Sequence, residues 1–195
     1  MLREKLKNHQ IILASGSPRR QQFFKDLDLD FTINIKSVDE VYPNHLKAHE
    51  ISNYLAELKA SVFLNDLQPN DILITSDTVV WHNNVSLAKP ADANEAYQML
   101  QTMSNDWHNV ITSVSFTTTK QQKTLFSTTK VKFKTLNDSE IWYYIDNYKP
   151  YDKAGAYGIQ EWIGLIGIEE IKGSYANVVG LPTHLVYKTL TDIVN

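Results

Sequence analysis
Four short segments of this sequence carry residue types that could do chemistry. In the first, the apolar run Ile11-Ile12-Leu13 gives way to Ala14-Ser15-Gly16-Ser17, then Pro18 and the adjacent Arg19 and Arg20. This reads as a buried strand, a tight loop and the first turn of a helix. Proline suits that turn because it has no amide to lose there and its φ is already helical, and Ser17 is the expected N-cap. The unpaired amides of a helix start, with two guanidinium groups beside them, suit a phosphate or a carboxylate. Successive helical residues point about 100° apart, so the two arginines are expected to do different work. Taken alone, the same residues also suit a capped surface helix with two solvated arginines.

The second segment is Thr75-Ser76-Asp77-Thr78, directly after Ile72-Leu73-Ile74. A carboxylate there is expected beyond a strand's carboxyl end, where open α/β sheets place their ligands. Burial and a neighbouring cation or metal would decide whether it serves as base or ligand. A plain turn is the alternative, though the apolar run resumes at Val79-Val80-Trp81. The third segment is Lys89-Pro90, whose proline holds the lysine out of helical geometry just ahead of a helix capped by Asp92. An ordinary surface lysine would look the same. In the fourth, Asp152 and Lys153 sit beside Ala154-Gly155-Ala156-Tyr157-Gly158, where glycine permits tight backbone. Gln160 follows, and its amide offers a donor and an acceptor to the edge of a base.

Composition narrows what these segments could serve. A chain of 195 residues makes one domain or two small lobes and can bury a real core. Its 43% hydrophobic and 21% charged residues are those of a globular protein. A net charge of -3 argues against a general nucleic-acid binder, which needs a basic surplus to neutralise phosphates. With no cysteine there is no disulfide framework and no thiolate zinc site. The charged start, Met1-Leu2-Arg3-Glu4-Lys5, leads into no signal-like stretch, and no apolar run approaches the roughly 18 residues of a membrane helix. A cytoplasmic protein without nucleic-acid or membrane partners is expected; a homodimer is left open.

The elements that must position the four segments alternate between strand and helix. Residues 21–27 continue a short amphipathic helix, and 31–35 alternate like a strand. Residues 48–64 place Ile51, Leu55, Leu58, Ala60 and Val62 mostly at helical spacing. Residues 71–81 read as a buried strand. Residues 92–103 read as a helix with an Asp cap, Glu95 at its third position and an Ala96, Met99, Leu100, Met103 stripe. Residues 109–118 and 124–133 are β-branched-rich neighbours joined by a polar turn. A helix over 138–148 is capped by Asn137 or Asp138 and ends before Pro150. Residues 163–171 read as strand and turn, and 182–194 as the last helix. The mixed order favours an α/β fold with a mixed sheet flanked by helices.

Taken together, Ser-Gly-Ser-Pro-Arg-Arg (15–20), Ser-Asp-Thr (76–78), Lys89-Pro90, Asp-Lys-Ala-Gly-Ala-Tyr-Gly-Ile-Gln (152–160) and Gly-Ser-Tyr-Ala-Asn-Val-Val-Gly-Leu-Pro (173–182) resemble the motifs of the Maf family, in the family's order. These nucleoside triphosphate pyrophosphatases were first named for septum formation. The resemblance runs from Ile11 to the last helix and implies a single domain over 1–195. It implies a mixed twisted sheet in two lobes around a nucleotide cleft, similar to inosine-triphosphate pyrophosphatases. The implied reaction cleaves a nucleotide between its α- and β-phosphates, giving a monophosphate and pyrophosphate, with a divalent cation (Mg²⁺ or Mn²⁺). The 152–160 segment resembles the branch acting on dTTP and UTP. The branch acting on 7-methylated guanosine triphosphate departs from it after Asp-Lys-Ala-Gly and carries glutamate where Gln160 stands. A house-cleaning role, linked to septum formation or division arrest, is the implied purpose.

By the same resemblance Asp77 is the proton acceptor, and Lys89, a position expected to hold phosphates or the metal, is counted with it as catalytic. Ser15, Arg19, Arg20, Lys59, Thr78, Asp152, Lys153 and Gln160 are implied to bind substrate, with Arg19, Thr78 and Gln160 shaping its choice. Glu40 and Asp77 are the implied metal ligands, hard oxygen donors suited to Mg²⁺ or Mn²⁺. Ser76 stands where alanine is common, Ala88 where glycine is frequent, Asn105 where glycine usually precedes the histidine matched by His108, and Ala176 where an aromatic is common. None of these removes a charge, and His108 reads as a packing or hydrogen-bonding residue. Two rival readings are a pyrophosphatase for non-standard nucleotides of the inosine-triphosphate type and a nucleotide-binding regulator without turnover.

Overall fold
The computed structural model describes residues Met1–Asn195. In chain order its elements are α1 (Leu2–Lys5), β1 (Gln10–Leu13), α2 (Pro18–Asp26), β2 (Thr32–Ile33), α3 (His49–Ser61), β3 (Asp71–His82), β4 (Val85–Leu87), α4 (Ala93–Met103), β5 (Trp107–Thr117), β6 (Gln122–Phe133), α5 (Asp138–Tyr148), α6 (Trp162–Gly167), β7 (Ile168–Lys172), α7 (Tyr175–Val179) and α8 (Thr183–Ile193). The strands form one mixed seven-stranded sheet, ordered β2-β1-β3-β5-β6-β7 with β4 paired to β3. β1 is parallel to β2 and β3, while β4 on β3 and β7 on β6 are antiparallel. No helix is long and apolar enough to cross a membrane.

The chain divides into two compact units. The first comprises Met1–Asp77, Thr112–Ser127 and Gly180–Asn195. Side chains alternate across a strand, and here both faces are covered. Ile11, Leu13, Ile72 and Ile74 meet Phe24 of α2 and Val186 and Leu190 of α8. Ile12 and Leu73 meet Ala60 of α3 and Phe63 on the other face. Each fully buried side chain of this size contributes about 1.5–3 kcal/mol. The strand expected over 31–35 shrinks to Thr32–Ile33 because it is an edge strand whose two residues are both exposed.

The second unit comprises Thr78–Ile111 and Thr128–Val179. Its core gathers Ala96, Met99, Leu100 and Met103 from α4 with Phe133, Tyr144, Ile145 and Ile163. α4 starts where expected, with Asp92 Oδ1 accepting the Glu95 amide at 2.9 Å. α5 begins in a full capping box: Asn137 Oδ1 accepts the Glu140 amide and the Glu140 carboxylate accepts the Asn137 amide. The strand expected over 71–81 is present with a hairpin after it that was not expected, and one expectation needs correction. β3 runs on through Asp77 to His82 and turns into β4 at Asn83-Asn84, both at positive φ (49° and 63°), the mirror-image turn that suits a tight hairpin. Residues 163–171 begin as α6 and not as strand, since an unbroken apolar run has no readable period and Trp162, Ile163 and Ile166 pack on the core at helical spacing.

Candidate active site
In the first unit the expected strand, loop and helix start are present. Pro18 opens α2, and the Ser17 hydroxyl accepts the Arg20 amide at 3.5 Å. Ser15 is buried, and its Oγ accepts the Ser17 amide at 3.3 Å. The Arg20 guanidinium turns inward. Its Nε donates to the Gly180 carbonyl at 2.9 Å, and its Nη1 to the Ser76 carbonyl at 3.0 Å and Ser15 Oγ at 3.5 Å. One side chain thus joins the loop, β3 and the glycine of the 173–182 motif. Burial pulls Arg20 below its ordinary value, and the nearby charges of Asp77 and Glu40 pull the other way. Arg19 is half-buried beside it, near enough for its charge to add to that lowering.

Alternation along β3 also decides where Asp77 points. Leu73, Thr75 and Asp77 share the face covered by α3. Thr75 Oγ1 donates to the Ala56 carbonyl at 2.7 Å. Lys59, three residues on and on the same side of the helix, brings Nζ to 2.7 Å from Asp77 Oδ1 and 3.1 Å from Glu40 Oε1. Asp77 is buried (7% exposed), and burial pushes its carboxyl above the usual value against the pull of Lys59 and Arg20. It lies inside its own strand, so the expectation of a carboxylate past that strand's end is corrected. The end it lies beyond is that of β1, whose last pair with β3 is Leu13 with Ile74.

No three His, Cys, Asp or Glu side chains converge on one point. Glu40 and Asp77 are two carboxylates on either side of an ammonium. Mg²⁺ is commonly held by one or two carboxylates with substrate phosphates and water completing its shell, so this pair fits such a cation only as a partial set.

The remaining expected residues lie in the second unit. Thr78 is half-buried on β3, and Lys89 is exposed on the loop between β4 and α4. That loop is tied to the fourth segment, since the Ala88 carbonyl accepts the Gly155 amide at 3.2 Å. Gly155 has φ 67°, and a Cβ there would sit 2.9 Å from Val80 Cγ1, so any side chain at this position is strained. Lys153 is buried, its Nζ 2.7 Å from Asp152 Oδ1 and 3.2 Å from Glu161 Oε1. Gln160 is exposed at the tip of this turn. His108 is a packing residue: its Nε2 lies 2.6 Å from Tyr157 Oη, its ring stacks on Phe133, and burial pushes it down to about 3.

Thus Ser15 and Arg20 meet in one network, Glu40, Lys59 and Asp77 in a second, and the Lys89 loop meets the 152–160 segment in a third. Sequence reasoning missed Glu161 and Tyr144, which hydrogen-bond to each other behind Gln160. The only signal was an acid between the glycine-rich turn and the apolar Trp162-Ile163. Tyr144 reads in sequence as one more residue of a core stripe.

The family model described as "Maf-like protein" matches residues 10–193. The chain is 61% identical to a Flavobacterium johnsoniae protein named dTTP/UTP pyrophosphatase, covering 100% of both chains. It is 58% identical to the protein of that name from Christiangramia forsetii, again over 100% of both. The Bacteroides fragilis protein of that name is 43% identical, over 96% of this chain and 98% of its own. A solved Staphylococcus aureus Ham1 protein superposes with TM-score 0.47 at 15% identity, covering 64% of this chain and 71% of that one, a likeness too slight to argue from. Motif order, length and full-length similarity agree: the chain belongs to the Maf family.

Proposed function
We propose that this chain hydrolyses dTTP and UTP to the monophosphate and pyrophosphate, acting over 1–195 as one Maf-type domain. Water adds to the α-phosphorus, the bond to the bridging oxygen of the β-phosphate breaks, and pyrophosphate leaves. The observation that carries the reading is the buried Asp77, raised by burial and held 2.7 Å from Lys59, close to the Ser15–Arg20 network. A carboxylate whose value lies above the usual one is, once ionised, a stronger proton acceptor than an exposed one. The relatives named dTTP/UTP pyrophosphatase, at 43–61% identity over nearly full length, support the choice of substrate.

Asp77 takes the proton of the attacking water. Ser15, Arg20 and Lys59 place positive charge and donors against the phosphates, Lys89 is the second catalytic residue, and Asp152 and Lys153 add polar contacts. Arg19, Thr78 and Gln160 take part in selecting the nucleoside. A divalent cation held by Glu40 and Asp77 would neutralise phosphate charge and lower the pKa of bound water.

Incubation with dTTP, UTP, CTP, dITP and 7-methylguanosine triphosphate, with Mg²⁺ or Mn²⁺ and with chelator, tests the whole reading. The expected products are TMP or UMP with pyrophosphate, formed only with metal present. Release of orthophosphate, or faster turnover of dITP than of UTP, would overturn the assignment.

A further inference from the structure
We infer that Glu161 is a positioning residue that fixes the turn carrying Gln160 and so sharpens the choice among pyrimidine bases, an inference that rests on the proposed dTTP/UTP activity. Glu161 stands at the N-cap of α6, where a side chain ordinarily accepts an amide of its own helix, yet it makes no such bond. Its carboxylate turns inward instead. One oxygen accepts the Tyr144 hydroxyl, and the other lies 3.2 Å from Lys153 Nζ. Tyr144 Oη in turn accepts the Gly158 amide at 3.0 Å. The Tyr144 ring is fully buried on α5, so this anchor cannot shift without opening the core.

A single carboxylate therefore grips both ends of the turn: Lys153 directly at its start, and Gly158 through Tyr144 just before Gln160. Gly158 shows how closely the parts fit. A Cβ there would lie 2.9 Å from the Glu161 carboxyl carbon and 3.1 Å from Gln160 Nε2. Both side chains thus lie over the same bare stretch of backbone. At the turn's other flank, a Cβ on Gly164 would fall 1.9 Å from the Ile159 carbonyl oxygen, so that backbone is closely held too.

The consequence concerns selectivity. Uracil and thymine present an N3 donor between two carbonyl acceptors, whereas cytosine has an acceptor at N3 and an amino donor beside it. An amide free to swing and flip can satisfy either edge. The Gln160 amide lies against the Gly158 backbone, its Nε2 3.1 Å from where a Cβ would stand, so holding that backbone holds the surface on which the amide rests. An amide kept in one orientation leaves a group unpaired on the wrong base.

The test compares wild type with Glu161→Ala, Glu161→Gln and Tyr144→Phe. Two quantities are read: the ratio of kcat/KM for UTP over CTP, and hydrogen exchange of the amides of 155–161 in the intact protein. We expect Glu161→Ala and Tyr144→Phe to lower the ratio at least fivefold and speed exchange in that segment at least tenfold. Glu161→Gln keeps one acceptor, enough for Tyr144, but loses the ion pair with Lys153, so its ratio and its exchange rate should fall between those of wild type and Glu161→Ala. If Glu161→Ala fails to fold, Glu161→Asp, which shortens the reach, carries the same expectation. Unchanged exchange, or equal loss on both substrates with the ratio preserved, overturns the inference. A wild-type enzyme that leaves UTP intact overturns the pyrimidine activity itself, and the exchange measurement still decides whether Glu161 holds the turn.

Discussion
At the scale of single residues, Asp77 carries the sharpest expectations. Asp77→Asn keeps the shape and loses the proton acceptor, so kcat should fall at least about 10²-fold, the usual scale for a positioned base, while the far-ultraviolet circular dichroism spectrum is unchanged. Turnover within threefold of wild type would remove Asp77 from the chemistry. Its surroundings predict a pair of opposite shifts. Burial holds the Asp77 carboxyl high, Lys59 lowers it and Glu40 raises it. A base must be ionised to act, so activity falls on the acid side as pH drops through this raised value. Lys59→Met removes a lowering charge and should move the acid limb of the kcat/KM profile to higher pH. Glu40→Gln removes a raising charge and should move it to lower pH. Limbs that shift in the same direction, or stay where they are, would show that another group sets the profile. Sequence pointed to Asp77 through the apolar run before it. Its encounter with Lys59 was not readable from the residues, because the two are 18 positions apart and meet only once α3 lies on β3.

At the scale of elements, the legible parts were those with local chemistry of their own. The Asp92 and Asn137 caps and the four-residue apolar stripe of α4 are short-range signals, and both helices stand where the sequence places them. The hairpin from β3 to β4 was missed although Asn83-Asn84 carries its signature, both residues adopting a backbone that asparagine tolerates well. The same tolerance accounts for Asn105 at φ 58°, at a position where the family resemblance expects glycine. α6 was not legible, since residues 162–167 offer no polar face to set a period. What holds α6 is a close backbone approach that only glycine permits. Gly164→Ala would bring a Cβ within 1.9 Å of the Ile159 carbonyl, and the backbone must shift to admit it. Such overpacking costs about 1–3 kcal/mol or more, so thermal unfolding should come at least about 2 °C lower. Gly16→Ala meets only Ile35 Cδ1 at 3.4 Å, ordinary contact, and should change the midpoint little. Equal midpoints for the two variants would mean that the turn before α6 yields easily, contrary to its packing.

At the scale of the whole molecule, the proposed action on a triphosphate requires a chain of net charge -3 to concentrate its cations locally. Sequence could count those cations but could not show that Arg20 and Lys59 reach the neighbourhood of one carboxylate, as they do around Asp77. Global stability depends on a different group, His108. It is buried and neutral, with a value pushed down from 6.5 to about 3 by loss of water around it. In the unfolded chain the same imidazole takes up a proton near pH 6.5. Below that pH the unfolded state binds a proton that the native state refuses, so stability is fully present above about pH 6.5 and drains away as pH falls toward 3. The slope approaches about 1.4 kcal/mol per pH unit, which amounts to roughly 2 kcal/mol between pH 6.5 and 5. His108→Gln keeps a polar partner for the Tyr157 hydroxyl and has nothing to titrate. Its urea unfolding free energy, set against that of wild type at pH 7.5, 6.5, 5.5 and 5.0, should begin lower and then close on the wild-type value as the pH falls. A constant difference between the two proteins across that range would show that His108 takes no part in acid destabilisation.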